Sequence, residues 1–160
     1  MRMDGQLLGG LENFEAVWRR VRGERAPTPP REDEAAAMLR GHMDALAASA
    51  DYLAALAGRC RDAEIARLAR AEGRRFRCLQ LEYFLLTGRC HVPGGSCPCR
   101  GSAAQGLRTA LLAARDTESG LRADAQRYPG EAGEALLAAA EGEAQSARAL
   151  RALLQKRIVG

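Results

Sequence analysis

Histidine, lysine, aromatic and β-branched residues are all scarce in this chain of 160 residues. There are two histidines, His42 and His91, and one lysine, Lys156. Aromatic residues make up 4%, and only four valines and two isoleucines occur. Pleated sheets draw on β-branched and aromatic side chains, so these shortages exclude a sheet-built domain. Two imidazoles exclude a histidine-rich metal centre and restrict any mechanism that depends on histidine. No apolar run approaches the roughly 18 residues that a membrane span needs. The opening MRMDGQLLGG lacks the apolar core of a signal peptide, which predicts a cytoplasmic protein. Five cysteines, an odd number, argue against the closed disulfide framework of a small secreted domain.

What the chain does have is 32 alanines and 21 leucines among arginines and glutamates, the composition of helices. With 47% hydrophobic residues it can bury an ordinary one-domain core. The net charge is +4, from 24 basic and 20 acidic residues. The arginines are spread along every helical segment, as on solvated helix faces. A nucleic-acid reader gathers them into one stripe with aromatics for stacking. Neither a nucleic acid nor a membrane is an expected partner.

Residues 1–30 read as an N-terminal helix followed by a Pro-rich linker. In the stretch GLENFEAVWRRVR (10–22), Leu11, Phe14, Val17, Trp18 and Val21 fall on one helical face. Three prolines in RGERAPTPPRED then break the helix. Residues 31–160 read as one domain of four long helices. The first runs from about Arg31 to Gly58, with Glu32, Asp33 and Glu34 favouring its first turn. The second runs from about Asp62 to Thr87, and Gly88 stands where a C-terminal glycine is expected. The third covers about Ser102 to Tyr128, and the fourth about Glu131 to Arg157 after the break at Pro129-Gly130. Helices of about 25 residues span about 38 Å. With one long connection, about 88–101, and two short ones, the expected fold is all-α, an antiparallel four-helix bundle. A faint repeat relates the two halves, since Glu72 precedes Leu79 by the same seven residues that separate Glu143 from Leu150.

At RLARAEGRRFRCLQLEYFLLTG (67–88) the sequence resembles the rubrerythrin-like branch of the ferritin-like superfamily. The likeness extends to MLRGHMDALAASADYLAALAGR (38–59) and FEAVWRRV (14–21), and the repeat spacing carries it into the second helix pair. In that family each hairpin gives a glutamate from its first helix and a Glu-x-x-His from its second. Positions i and i+3 share a helix face, so both side chains can clasp a di-iron pair. Transferred to this chain, the resemblance implies vestigial metal positions at Glu72 and Glu143. The histidine slots hold Arg75 and Ser146, and the slots for the other two glutamates hold Ala45 and Ala114. Asp44, Asp116 or Glu118 would serve only with a shift of register, and no shift restores an imidazole. Two carboxylates without imidazoles do not make a di-iron site. The resemblance therefore implies a ferritin-like bundle that has lost its metal centre. The plainer reading of Glu72 and Glu143 is structural: carboxylates neutralised by Arg75 and its neighbours.

The connection GRCHVPGGSCPCRGS carries the second set of candidates, Cys90, His91, Cys97 and Cys99. Thiolates and imidazole suit zinc, but the adjacent Cys90-His91 and the tight Cys97-Pro98-Cys99 depart from the Cys-x2-Cys knuckle. Zinc, a disulfide or redox pair, and free thiols all stay open, with Cys60 and Cys78 as possible substitutes. His42 reads as a surface or core residue more readily than as a ligand. No nucleophile with a base and an oxyanion pocket emerges, and Pro93-Gly94-Gly95-Ser96 lacks the lysine and the strand of a phosphate loop. The expectation is a non-catalytic structural or interaction protein without a cofactor. It would form a homo-oligomer such as a dimer or bind a protein partner, and the N-terminal helix with Phe14 and Trp18 would dock on its own bundle or on a second subunit, or Trp18 would cap its own core. The alternatives are an iron-binding di-iron oxidoreductase or metal-handling protein, and a zinc or thiol-redox protein.

Overall fold

The computed structural model describes residues 31–95 and 98–160. The expected N-terminal helix, its linker, the aromatic residues Phe14 and Trp18, and Cys97 lie outside the described residues. Within them the chain forms four helices and no strand: α1 (Glu32–Cys60), α2 (Ala63–Thr87), α3 (Ala103–Ala125) and α4 (Glu131–Val159). None of these helices is long and apolar enough to cross a membrane.

Each helix end has a local cause. Three acids in the first turn of α1 face the positive end of its dipole. The helix runs past Gly58 to Cys60, because the stop is made by Arg61 in the left-handed region (φ 50°). The Asp62 carboxylate then caps α2 by accepting hydrogen bonds from the N–H groups of Glu64 and Ile65 at 2.9 and 3.2 Å. Gly88, also left-handed (φ 69°), closes α2 with its N–H on the Phe84 carbonyl. A capping box opens α3: Ser102 Oγ accepts from Gln105 N–H, and Gln105 Oε1 accepts from Ser102 N–H. α3 ends at Ala125, three residues before the expected Tyr128, because Tyr128 folds back into the core at 7% exposure.

α1 packs on α2 and α3, and α4 packs on α3 and α2. α1 and α4 make no contact, nor do α2 and α3, so these two pairs are the diagonals of a square. Two apolar clusters fill it. One joins Leu53 and Leu56 of α1, Ile65 of α2, Leu107 and Leu111 of α3, and Leu150 and Leu153 of α4. The other joins Leu39, Met43 and Leu46 of α1, Leu79 and Tyr83 of α2, Leu121 of α3, and Leu136 of α4. Each fully buried leucine contributes about 1.5–3 kcal/mol from removal of its surface from water. α2 ends in the second cluster and α3 begins in the first, so residues 88–102 carry the chain from one cluster to the other.

At the start of α4 the preceding turn leaves room only for glycine. A Cβ at Gly133 would collide with the Tyr128 carbonyl, which cannot move without undoing the turn before α4. Gly41, inside α1, has open space around it. In urea unfolding, Gly133→Ala should therefore cost about 2 kcal/mol or more, as backbone clashes do. Gly41→Ala should add up to about 1 kcal/mol through helix propensity alone.

Candidate functional site

Between the two apolar clusters lie the only polar side chains that are buried among the described residues: Glu72 at 0% exposure, Glu143 at 1% and Ser146 at 1%. Glu72 is contributed by α2, and Glu143 and Ser146 by the neighbouring α4. Arg75, one turn along α2 from Glu72, joins them. Its Nη1 donates to Glu143 Oε1 at 3.1 Å, and its Nη2 donates to the Gly142 carbonyl at 2.6 Å and to Ser146 Oγ at 3.0 Å. Nη1 also lies 2.8 Å from Glu72 Oε1, as an ion pair outside hydrogen-bonding geometry. One guanidinium thus touches every polar group of the layer, which a planar fork of five donors can do and a lysine ammonium cannot.

The backbone of α4 is shaped to admit it. A Cβ at Gly142 would strike the Arg75 guanidinium itself. The sequence carries a signal for this, because glycine inside a helix costs about 1 kcal/mol relative to alanine and needs a packing reason. Gly142 is the site residue that the spacing of charged residues alone does not reveal.

Two buried carboxyls facing one cation leave an excess negative charge. Burial, then a hydrogen bond to Glu72 and the negative charge of Glu72, push the Glu143 carboxyl up from 4.5 to about 9, against the opposing pull of Arg75. Neither oxygen of Glu72 finds a protein donor otherwise. A proton on Glu143 supplies one, and it leaves the layer with one positive and one negative charge.

The remaining candidates are held elsewhere. His42 Nε2 of α1 donates to Asp124 Oδ2 of α3 at 2.7 Å. His91 Nε2 donates to Asp44 Oδ1 at 2.7 Å, and its ring stands edge-on to Tyr83 with centroids 6.0 Å apart. Gln80 clamps the His91 backbone, accepting from its N–H at 3.1 Å and donating to its carbonyl at 3.0 Å. Cys90 is exposed, and half-buried Cys99 is bound by Arg59, whose Nη1 donates to the Cys99 carbonyl and lies 3.3 Å from its Sγ. Asp44 and Arg59, the anchors of His91 and Cys99, are about 22 Å apart along α1 at 1.5 Å per residue. The connection is thus pinned at two separate levels, and Cys90-His91 is not brought to Cys99. Cys60, Cys78, Cys90 and Cys99 are free thiols. Among the described residues no three Asp, Glu, His or Cys side chains converge as metal ligands. Glu118 pairs with Arg122 on its own helix at 3.0 Å. Ala114 is buried. Ala45 and Asp116 line a cavity of about 360 Å³ between α1 and α3. No family model, curated protein or solved structure matches the chain.

Removing the cation alone leaves two buried carboxyls without a partner. Arg75→Met should therefore cost about 3–5 kcal/mol in urea unfolding. The triple change Glu72→Leu, Arg75→Met and Glu143→Leu should recover most of that loss, because it removes the charges together. Protonation gives a second test. Between pH 4.5 and about 9 the folded chain keeps a proton on Glu143 that the unfolded chain releases. Stability should accordingly fall as pH rises through that window, by at most about 1.4 kcal/mol per pH unit. Glu143→Gln, neutral at every pH, should flatten the decline seen in denaturation midpoints from pH 5 to 9.

Proposed function

We propose that the chain is a ferritin-like bundle of the rubrerythrin-like kind in which an arginine has taken the place of the di-iron centre. It acts as a non-catalytic structural or interaction protein. The observation that carries this reading is the Arg75 guanidinium lying against both Glu72 and Glu143. The residues do not fit a di-iron pair. A covalently attached cation already neutralises the two carboxyls, Ser146 offers a hydroxyl in place of the second imidazole, and Ala114 brings no oxygen at all.

The direction of the helices supports the family reading. α1 and α4 begin in the second apolar cluster, and α2 and α3 begin in the first. Neighbours on the square then run antiparallel and the diagonal pairs run parallel, with 88–102 as the crossover. A bundle with one long crossover is the ferritin-like topology, whereas an up-down-up-down bundle would make α2 and α3 antiparallel neighbours. The protein works by association with a second copy or with another protein. Exposed Leu112 of α3 and Leu137, Ile158 and Val159 of α4 supply apolar surface outside the core.

Metal analysis of the chain purified without an affinity tag tests the reading. The expected result is no stoichiometric iron. About two irons per chain, lost when Glu72 and Glu143 are replaced together, would overturn it and restore the oxidoreductase alternative.

A further inference from the structure

Two adjoining grooves of about 400 and 630 Å³ run along the outer seam between α2 and α4, sharing Ala71, Arg74, Arg75 and Gln145. Ala135, Ala138, Ala139 and Gly142 make the α4 side shallow. On α2 the seam continues into Leu81 and Leu85, which are 56% and 65% exposed, beside the exposed Cys78. This is an apolar strip on a helix that already buries its opposite face. From Arg74 onward its charges are ordered: Arg74 stands at the middle of α2 and Glu82 toward its end, where Glu131 and Glu134 lie in the first turn of α4, while Arg67 and Glu64 lie together near the start of α2.

We infer that residues 11–21 of this same chain occupy the groove as a helix, with Leu11 beside Arg74 and Val21 beside Leu85. Eleven helical residues measure about 16 Å, the rise along α2 from Arg74 to Leu85. α1 starts at the bundle end where α2 stops, and residues 22–30 can span about 30 Å extended, enough to return to Leu85. Leu11, Phe14, Val17, Trp18 and Val21 form a face of large side chains, which the groove of small residues can receive. The segment carries Glu12 and Glu15 in its first half and Arg19 and Arg20 at its other end, followed directly by Arg22. Only the stated direction sets each sign against its opposite in the groove. A short tether holds the segment near the groove at an effective concentration in the mM range, which favours it over the same segment of a second copy.

Trp18 is the chain's single tryptophan, so its fluorescence reads the contact in the full chain directly. The expected result is blue-shifted emission, protected from acrylamide and unchanged on dilution. Leu81→Glu and Leu85→Glu, both at exposed positions, should move the emission toward that of indole in water. The quenching constant should rise several-fold while the far-UV spectrum of the bundle stays the same. Glu12→Arg with Glu15→Arg should loosen the segment in the same way, and adding Arg74→Glu should restore it, a rescue that a misfolded variant could not give. Water-like emission in the unaltered chain would overturn the inference, as would indifference to both leucine changes. A blue shift lost on dilution would overturn it too, by assigning the groove to a second copy.

Discussion

The centre of this bundle is organised by one guanidinium. Glu72 and Glu143 are buried between two apolar clusters, where an unpaired carboxylate would be very costly. Arg75 can reach both because α4 has a glycine at position 142, and it also satisfies the Gly142 carbonyl and the Ser146 hydroxyl. A proton on Glu143 removes the remaining charge. These features are mutually dependent: deleting the glycine displaces the arginine, and deleting the arginine strands the acids. The layer also fixes α2 against α4, because its hydrogen bonds work only when the two helices are in one register.

The connection between α2 and α3 shows a second constraint, at the surface. It leaves the second apolar cluster and must deliver the chain to the first. Gln80 and Asp44 hold it near its start at His91, and Arg59 holds it near its end at Cys99. The polar residues that anchor this segment belong to α1 and α2, so the first hairpin is the template on which the crossover lies. Cys90 and Cys99 therefore lie at separate levels of that template.

Much of this was legible in the sequence, and the failures have physical causes. Gly88, Ser102 and Pro129-Gly130 mark their helix ends by local chemistry, and the helix ends fall beside them. Gly58 does not mark one, since a glycine inside a helix stops it only where a left-handed residue is needed, and Arg61 takes that conformation instead. The stop at Ala125 depends on Tyr128 turning inward, a tertiary event that no local signal announces. Glu72, Arg75, Glu143 and Ser146 come together on paper only through the family resemblance, whose motif assigns them to corresponding positions of the two hairpins. The pairs His42–Asp124 and His91–Asp44 cannot be foreseen in this way, because each joins residues far apart in sequence through a packing arrangement that only the folded chain defines.

Arg75 is a tethered cation between two buried carboxyls, and under the proposed function it stands where a metal would. Thermal unfolding with and without excess ferrous iron under anaerobic conditions, for the unaltered chain and for Arg75→Ala, tests it most directly. A ligand that binds only the folded state raises the unfolding temperature. The expected result is no shift for the unaltered chain and a rise for Arg75→Ala, whose buried carboxyl pair then lacks a cation. A rise in the unaltered chain that disappears when Glu72 and Glu143 are replaced would contradict it.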